Sequence, residues 1–381
     1  MKIVVAIDSF KGSLTSLQAG NAAAEGISRV YPDAQVTVFP IADGGEGTVV
    51  ALTTALRGNL QTVEALDPLG RPIQCEYGIV GNTAVIEMSC AAGITLLTAE
   101  ERNPMRTTTY GVGQVIADAI SKGCRDFIVG IGGSATNDGG IGMLQALGFG
   151  ILDKAGHQVP LGGAGLEKIA SITTENTLPE LSKCTFRIAC DVTNPLCGET
   201  GCSAIYGPQK GATPEQIAQM DGWLNTYADK VKAVFPDSDQ NMPGAGAAGG
   251  IGFAFFSFLN GMPYSGIDLI LGELRIEDTI RNSDLVITGE GRLDAQTVMG
   301  KAPIGIARIA KKYGKPVIAF SGCVTPETGV CNGHGIDAFF PIVKGACTIE
   351  QAMAIQNAYP NMADTAEQAF RLLKTANFME E

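Results

Sequence analysis

Short apolar runs alternate with longer amphipathic segments along most of this chain. The apolar runs are rich in β-branched residues and lie at 2–8, 35–41, 126–132, 284–289, 316–322 and 337–343. Near-continuous apolar strands are typical of a parallel sheet that is covered on both faces. Helical patterns lie between them, at 14–30, 112–123 and 301–314. This alternation predicts an α/β protein with a doubly wound, Rossmann- or flavodoxin-like, mostly parallel sheet.

Two regions interrupt the alternation and predict a second domain. Residues 61–100 have the pattern of hairpin strands, and 151–279 combines long loops with a strand at 185–191 and a helix at 214–234. The domains are therefore expected to divide the chain as follows: 1–60, 101–150 and 280–381 form the Rossmann- or flavodoxin-like domain, and 61–100 and 151–279 form a second α/β domain, inserted discontinuously.

The loops just past the predicted strands are unusually polar and rich in glycine. They are "DSFKGS" at 8–13, "ADGGEGT" at 42–48, "GGSATNDGG" at 132–140, "CDVTNP" at 190–195 and "GEGRLDAQT" at 289–297. Ligands of a doubly wound sheet bind at the carboxyl ends of its strands. A lone Asp at such a place is more often a helix cap, and a lone Gly-Gly pair is more often a turn. Five such loops together indicate a functional site.

The composition is that of a compact enzyme that does not bind nucleic acid. Only 17% of the residues are charged and 49 are glycine, and the net charge of -12 would repel a phosphate backbone. The ten cysteines form no C-x-x-C pair, and the sequence starts without a secretory leader pattern. We therefore expect a cytoplasmic protein with reduced thiols and no membrane partner.

Carboxylates, cations and backbone N–H groups together are what phosphoryl transfer requires. Because neither histidine lies in these loops, the general base is expected to be a carboxylate. Asp191 is the first choice, since burial at the end of a strand would make it a better base, and Asp8 and Asp294 are its rivals. Lys11 and Arg292 suit an acidic substrate or the transferred phosphoryl group.

These roles assign the polar loop residues to four sets. The catalytic set is Asp191, Lys11, Arg292 and Asp294; the substrate set is Asp8, Ser9, Lys11 and Arg292; the nucleotide set is Gly132, Gly133, Ser134, Thr136, Asn137, Gly139, Gly140, Gly289 and Glu290; and the Mg²⁺ set is Asp43, Glu46 and Asp138.

The segment Gly130–Ala135 also fits the dinucleotide fingerprint G-x-G-x-x-G/A. That fingerprint needs a helix to begin within the glycines and an acid at the end of the next strand. The turn-forming residues 137–140 instead predict that the helix begins near Ile141, and the residues around Asp153 predict a hairpin. An NAD(P)-dependent oxidoreductase of a small hydroxy acid is therefore a disfavoured alternative. A non-catalytic protein that binds small anions is the third hypothesis.

Several of these loops carry the motifs of a known family. The segments "IDSFKGSL", "ADGGEGT", "GIGGSATNDGG", "ACDVTNPLCG", "GPQKGAT", "PGAGAAGGIG" and "ITGEGRLDAQT", the last followed by "GKAP", occur in this order. Together they resemble the type 1 glycerate kinase family over essentially the whole chain. Two segments depart from the expected pattern: Gln114 stands where Glu is expected, and 322–335 differs in detail. Both departures bear on substrate fine-tuning rather than on the reaction.

The resemblance implies a function and its partners. It implies ATP- and Mg²⁺-dependent phosphorylation of D-glycerate, in bacteria typically at the 2-hydroxyl, in a cleft between two domains. The expected partners are therefore D-glycerate and ATP, and self-association into a homo-oligomer is left open.

Overall fold

The computed structural model describes residues 1–377. Its strands are β1 (Lys2–Ile7), β2 (Gln35–Pro40), β3 (Asn59–Leu66), β4 (Pro72–Val80), β5 (Thr83–Glu87), β6 (Asp126–Gly130), β7 (Gly150–Leu152), β8 (Ser171–Thr173), β9 (Thr185–Ala189), β10 (Met262–Tyr264), β11 (Leu285–Leu293), β12 (Val317–Val324) and β13 (Ala338–Pro341). Its helices are α1 (Ser16–Ser28), α2 (Thr48–Ala55), α3 (Ser89–Ala92), α4 (Tyr110–Ser121), α5 (Ile141–Ala146), α6 (Cys202–Tyr206), α7 (Pro214–Val234), α8 (Ala247–Phe258), α9 (Gly266–Leu274), α10 (Ile276–Arg281), α11 (Ala302–Lys312), α12 (Ile349–Met353) and α13 (Ile355–Asn377).

The chain forms two compact units, each built from discontinuous segments. The first unit contains 1–43, 54–56 and the described residues from Ile267 onward, and the second contains 44–53 and 57–266. Among residues 1–377, none of the helices combines the length and the apolar character that crossing a membrane requires.

The first unit is built on a parallel sheet in the order β13-β12-β11-β1-β2. On one face, Ile3, Val5 and Ile7 pack with apolar residues of α1 and α13. Val4 and Ala6 point to the other face because successive side chains alternate, and they too are buried. Since α11 contacts β1, β11 and β12, helices cover both faces. The prediction of a doubly wound α/β fold is confirmed for this unit.

Two local interactions fix the start of α1 and its distance from α13. Thr15 and Gln18 form a capping box, in which each side chain accepts a hydrogen bond from the other's backbone N–H. Near the other end of the helix, Gly26 lies so close to α13 that a Cβ atom would be 2.0 Å from the carbonyl oxygen of Ala363. The absence of a side chain at Gly26 therefore lets the two helices pack closely.

The strand order of this sheet reverses between β1 and β11. From β1 the chain continues to β2 on one side, whereas β11, β12 and β13 follow one another on the other side. A crevice forms outside the carboxyl ends of the strands at such a reversal, and ligands of open α/β sheets bind there. The hydroxyl of Ser16 joins two of these ends, since it donates to the carbonyl of Ile7 and accepts from the N–H of Ile41.

The second unit has a mixed sheet in the order β10-β9-β6-β5-β4-β3. The pairs from β10 to β5 are parallel, and β5, β4 and β3 form the antiparallel hairpins predicted for 61–100. The structure places 101–150 in this unit rather than in the predicted Rossmann-like domain, because β6 pairs with β5 on one side and β9 on the other. Residues 267–279 belong instead to the first unit.

Candidate active site

A cavity of about 450 Å³ lies in the first unit, at the carboxyl ends of its strands. Part of its lining is charged and part is apolar. The charged part, which we name the polar floor, consists of Asp8, Lys11, Asp43, Glu290, Arg292 and Lys301. The apolar part, which we name the apolar wall, consists of Ile342, Val343, Ile349, Ala352, Met353 and Ala358.

The topology explains why the polar floor assembles from distant parts of the sequence. Asp8 follows β1, which lies between β2 and β11. Its backbone N–H donates to the carbonyl of Gly289 on β11 at 2.9 Å. Six of the predicted site residues line this cavity: Asp8, Ser9, Lys11, Asp43, Glu290 and Arg292.

Asp8 is the most perturbed carboxyl group of the polar floor. Its side chain is only 3% exposed, and one of its oxygens accepts a hydrogen bond from the N–H of Ser9 at 2.6 Å. Burial and the nearby charge of Asp43 raise the pKa of Asp8 to about 7, although Ser9 and Lys11 oppose the shift. Asp8 can therefore accept or release a proton near neutral pH.

Glu290 is held in place by two neighbours. The hydroxyl of Thr297 donates to one of its oxygens at 2.7 Å, and Nζ of Lys301 lies 3.4 Å from the other. Burial raises the pKa of Glu290 above its ordinary value, and these two partners limit the increase. The carboxyl group is therefore fixed in orientation at the cavity.

Arg292 and Asp294 form an ion pair beside the cavity, with Nε of Arg292 at 3.2 Å from Oδ2 of Asp294. The guanidinium side chain is 63% exposed, so most of it is available to a ligand. Asp294 also accepts the N–H of Gln296 at 2.9 Å and caps the turn at 294–297. Asp294 is therefore tied to its own loop and orients Arg292.

Gly289, predicted to bind a nucleotide, packs closely against the neighbouring strand. It lies inside β11, where a Cβ atom would be 2.0 Å from the carbonyl oxygen of Phe320 on β12. Only a residue without a side chain lets these two strands approach in this way.

Asp191 lies in the second unit, just after β9, as the sequence predicts. One of its oxygens accepts the N–H of Gly266 at 2.9 Å, but the residue is exposed. The prediction that it is buried is wrong, because the strand ends two residues earlier and the chain then reaches the surface. Asp8, in contrast, is buried.

The "GGSATNDGG" loop, also in the second unit, is mostly a buried connection. Gly132 and Gly133 are exposed, whereas Ser134, Thr136, Asn137, Gly139 and Gly140 are buried. The N–H of Gly139 donates to the carbonyl of Gly249, and Asn137 donates to the hydroxyl of Ser203. Only the first part of the loop is therefore open to a ligand in the way that the sequence suggested.

The helix after this loop begins where the sequence predicted. Gly139 and Gly140 adopt left-handed φ values of 62° and 77°, and α5 starts at Ile141. The next strand, β7, pairs antiparallel with β8, and the Asp153 side chain accepts the N–H groups of Ala155 and His157 in the predicted hairpin. The helix therefore does not begin within the glycines of the dinucleotide fingerprint, and the acid after β7 is engaged in its own turn.

Lys210 lies beneath the same loop and is fully buried. Its Nζ donates to the carbonyl of Thr136 at 2.7 Å, and burial lowers the pKa of the ammonium group to about 8. This lysine is the one in the "GPQKGAT" motif. The structure shows that the buried ammonium group stabilises this loop through its hydrogen bond to Thr136.

The comparisons with known proteins agree on one family. The model of the glycerate kinase family matches residues 3–374. This chain belongs to the glycerate kinase family. A glycerate kinase from Haemophilus influenzae is 45% identical over 98% of this chain and 99% of its own length. A glycerate 2-kinase from Escherichia coli is 44% identical over 95% of both chains.

A solved structure supports the same assignment. The crystal structure of a candidate glycerate kinase 2 from Salmonella typhimurium LT2 has a TM-score of 0.90 and 42% identity, and the match covers 99% of both chains. The resemblance read from the sequence motifs and the α/β fold class are confirmed. The chain is a kinase of the glycerate kinase family, and such a kinase binds a nucleotide and a small-molecule acceptor.

The three residues predicted to hold Mg²⁺ in this kinase belong to different compact units. Asp43 belongs to the first unit, and Glu46 and Asp138 belong to the second. Asp138 is fully buried, and its oxygens accept from the N–H and hydroxyl of Thr109 and the N–H of Gly140. Within residues 1–377, no group of three or more His, Cys, Asp or Glu side chains is arranged around a common metal position.

Sequence reasoning missed the whole apolar wall of the kinase cavity. It lies after β13 and in α12 and α13, where the residues carry no polar motif. One signal was available in the sequence. The segment "DAFFPIV" has the pattern of a parallel strand, so the residues after it were expected at the same edge of the sheet as Asp8.

Proposed function

We propose that this kinase transfers the γ-phosphoryl group of ATP to the 2-hydroxyl of D-glycerate, forming 2-phosphoglycerate and ADP. The observation that carries the proposal is the polar floor, where a buried carboxyl group with a pKa of about 7 lies between further acids and cations. The names of the relatives support glycerate as the acceptor, and the Escherichia coli relative is a glycerate 2-kinase.

Asp8 is the proposed general base. A base works best when its pKa is near the working pH, which is the case for Asp8. Asp191 is exposed and Asp294 is engaged with Arg292 and its own turn, so neither is buried in the way that Asp8 is. In this role Asp8 removes the proton from the hydroxyl of D-glycerate as the oxygen attacks phosphorus.

Lys11 and Arg292 are proposed to bind the negative charges of the reactants. Both line the cavity, and the side chain of Arg292 is largely exposed to it and to solvent. An arginine can hold the carboxylate of D-glycerate with two parallel hydrogen bonds, whereas a lysine acts as a point charge on phosphate oxygens. Together they would position the acceptor and stabilise charge in the transition state.

The carboxylates of the polar floor fit a Mg²⁺ ion that arrives with ATP. Asp43 and Glu290 both add to the repulsion that raises the pKa of Asp8, and a cation would relieve this repulsion. Mg²⁺ is usually held by one or two carboxylates together with substrate phosphates. Asp43 and Glu290 are the proposed ligands, and the bound ion would neutralise charge on the phosphate oxygens.

A coupled assay of ADP release tests this function. D-glycerate, L-glycerate and glycolate are each supplied with ATP, with and without Mg²⁺. We expect ADP with D-glycerate and Mg²⁺, little with the other acids, and none without the metal. If folded protein releases no ADP with any of the acids, the proposed function is wrong.

A further inference from the structure

We infer that the apolar wall binds the base of the nucleotide, with the phosphates directed toward the polar floor. This inference rests on the proposed function and extends it from the phosphates to the rest of the nucleotide. The wall consists of residues from the segment that follows β13 and from α12 and α13, as defined above.

The cavity has an aliphatic surface for which D-glycerate has no matching part. Every carbon atom of D-glycerate carries oxygen, so the acceptor has no apolar part that could contact aliphatic side chains. The cavity of about 450 Å³ joins an aliphatic surface to a charged one, and sites for small molecules typically combine these two features. A nucleotide has the same two parts, because a flat base with little charge is joined to highly charged phosphates.

Two residues of α12 are exposed to an extent that is unusual for their type. Ile349 is 73% exposed and Met353 is 37% exposed, although both are large and apolar. Methionine adapts its shape and makes favourable contacts with aromatic rings, which suits the face of a base. Covering these two side chains with a base would remove apolar surface from water.

The apolar wall is anchored to the loop that carries the polar floor. Gly12 has a left-handed φ of 76°, and a Cβ atom placed on it would be 2.8 Å from Cε of Met353. The methionine methyl group therefore rests directly on the loop between Asp8 and α1. The two parts of the cavity are therefore in contact with each other within the first unit.

A buried hydroxyl in the same cavity lacks a partner. Ser13 lines the cavity, and its Oγ atom, which is inaccessible to solvent, has no hydrogen-bond partner among residues 1–377. A buried hydroxyl group without a partner is costly, and a bound ligand can supply the missing bond. If the Ser13 side chain rotates toward the cavity, the nitrogen atoms of a base or the hydroxyls of a ribose could supply this bond.

Calorimetric titration with ADP and, separately, with D-glycerate tests the inference without requiring turnover. In the double variant Ile349→Ser/Met353→Ser, we expect ADP to bind at least about tenfold more weakly, because two apolar contacts are lost. The affinity for D-glycerate should stay within about twofold. The variant Ile349→Leu/Met353→Leu keeps the apolar surface and should bind ADP within about threefold of the wild type.

The matched control is Met262→Ser/Leu372→Ser, which removes two exposed apolar side chains that lie outside the cavity. It should bind ADP as the wild type does. Unchanged ADP affinity in Ile349→Ser/Met353→Ser would overturn the inference, and so would a loss confined to D-glycerate, which would assign the wall to the acceptor. Normal ADP binding to the wild type without ADP release in the assay above would instead count against the proposed function.

Discussion

At the scale of single residues, the account depends most on the environment of Asp8. The pKa of this carboxyl group is about 7 in the folded protein and about 3.8 in the unfolded chain. At pH values between the two, the group is protonated in the folded state and ionised in the unfolded state. The folded state binds more protons in this range, so the free energy of unfolding falls as the pH rises from about 4 to about 7. The buried charge therefore destabilises the protein under the conditions in which a base is needed.

The variant Asp8→Asn should remove this pH dependence. At pH 8 we expect it to be more stable than the wild type by on the order of a few kcal/mol, and at pH 4 the difference should be small. Urea unfolding at both pH values measures the effect. The exposed Asp33→Asn is a control from the same unit, and an Asp8→Asn variant that matches the wild type at pH 8 would contradict the assigned environment.

Arg292 gives a second prediction at this scale. Because its guanidinium is proposed to bind the carboxylate of D-glycerate, Arg292→Ala should lower kcat/KM for D-glycerate by about 10- to 100-fold. Arg292→Lys should recover only part of the loss, since it lacks the bidentate geometry. Arg281→Ala, which removes an exposed arginine outside the cavity, serves as the control. Steady-state kinetics that show a normal kcat/KM for Arg292→Ala would exclude this role.

The residues also show where sequence reasoning succeeds and where it stops. Asp8, Lys11 and Arg292 could be predicted to lie together because strand ends of a parallel sheet share an edge. The exposure of Asp191 could not be predicted, since the pattern "FRIACD" does not reveal that β9 ends at Ala189 and that the chain then reaches the surface. Whether a residue at the end of a strand is buried depends on the elements that pack against it, and the strand's own sequence does not show them.

At the scale of elements, the residues next to a helix end were sufficient to predict where that helix begins. The start of α5 at Ile141 follows from the two left-handed glycines before it, and α7 follows from the Thr213 capping box and the proline after it. Sheet membership is not a local property. The pattern of β6 predicts a buried parallel strand, but only its pairing with β5 and β9 shows to which unit it belongs.

The close packing of α1 on α13 supplies a prediction for this scale. Gly26→Ala should destabilise the protein by about 1–3 kcal/mol or more, because the new methyl group would overlap the backbone of α13. Gly272→Ala is the matched control, since nothing lies within 4 Å of its added Cβ. The control should raise the free energy of unfolding by up to about 1 kcal/mol. Thermal unfolding checks both, and equal effects would contradict the described packing.

At the scale of the whole molecule, the acidic chain brings three cations together in one cavity beside three acids. The net charge is -12, yet Lys11, Arg292 and Lys301 all line one cavity. A protein of this charge repels anions in general, so the binding of anionic substrates depends on such a local site. Composition alone does not reveal this site, because the three cations come from separate parts of the sequence.

The central claim is that Asp8, in the cavity of the first unit, serves as the base for phosphoryl transfer to D-glycerate. Its most direct test is the single-turnover rate of 2-phosphoglycerate formation, measured for Asp8→Asn and Asp191→Asn with saturating ATP and Mg²⁺. We expect Asp8→Asn to lose about 10²-fold or more in rate and Asp191→Asn to lose far less. A rate for Asp8→Asn close to that of the wild type, or a larger loss in Asp191→Asn, would contradict the claim.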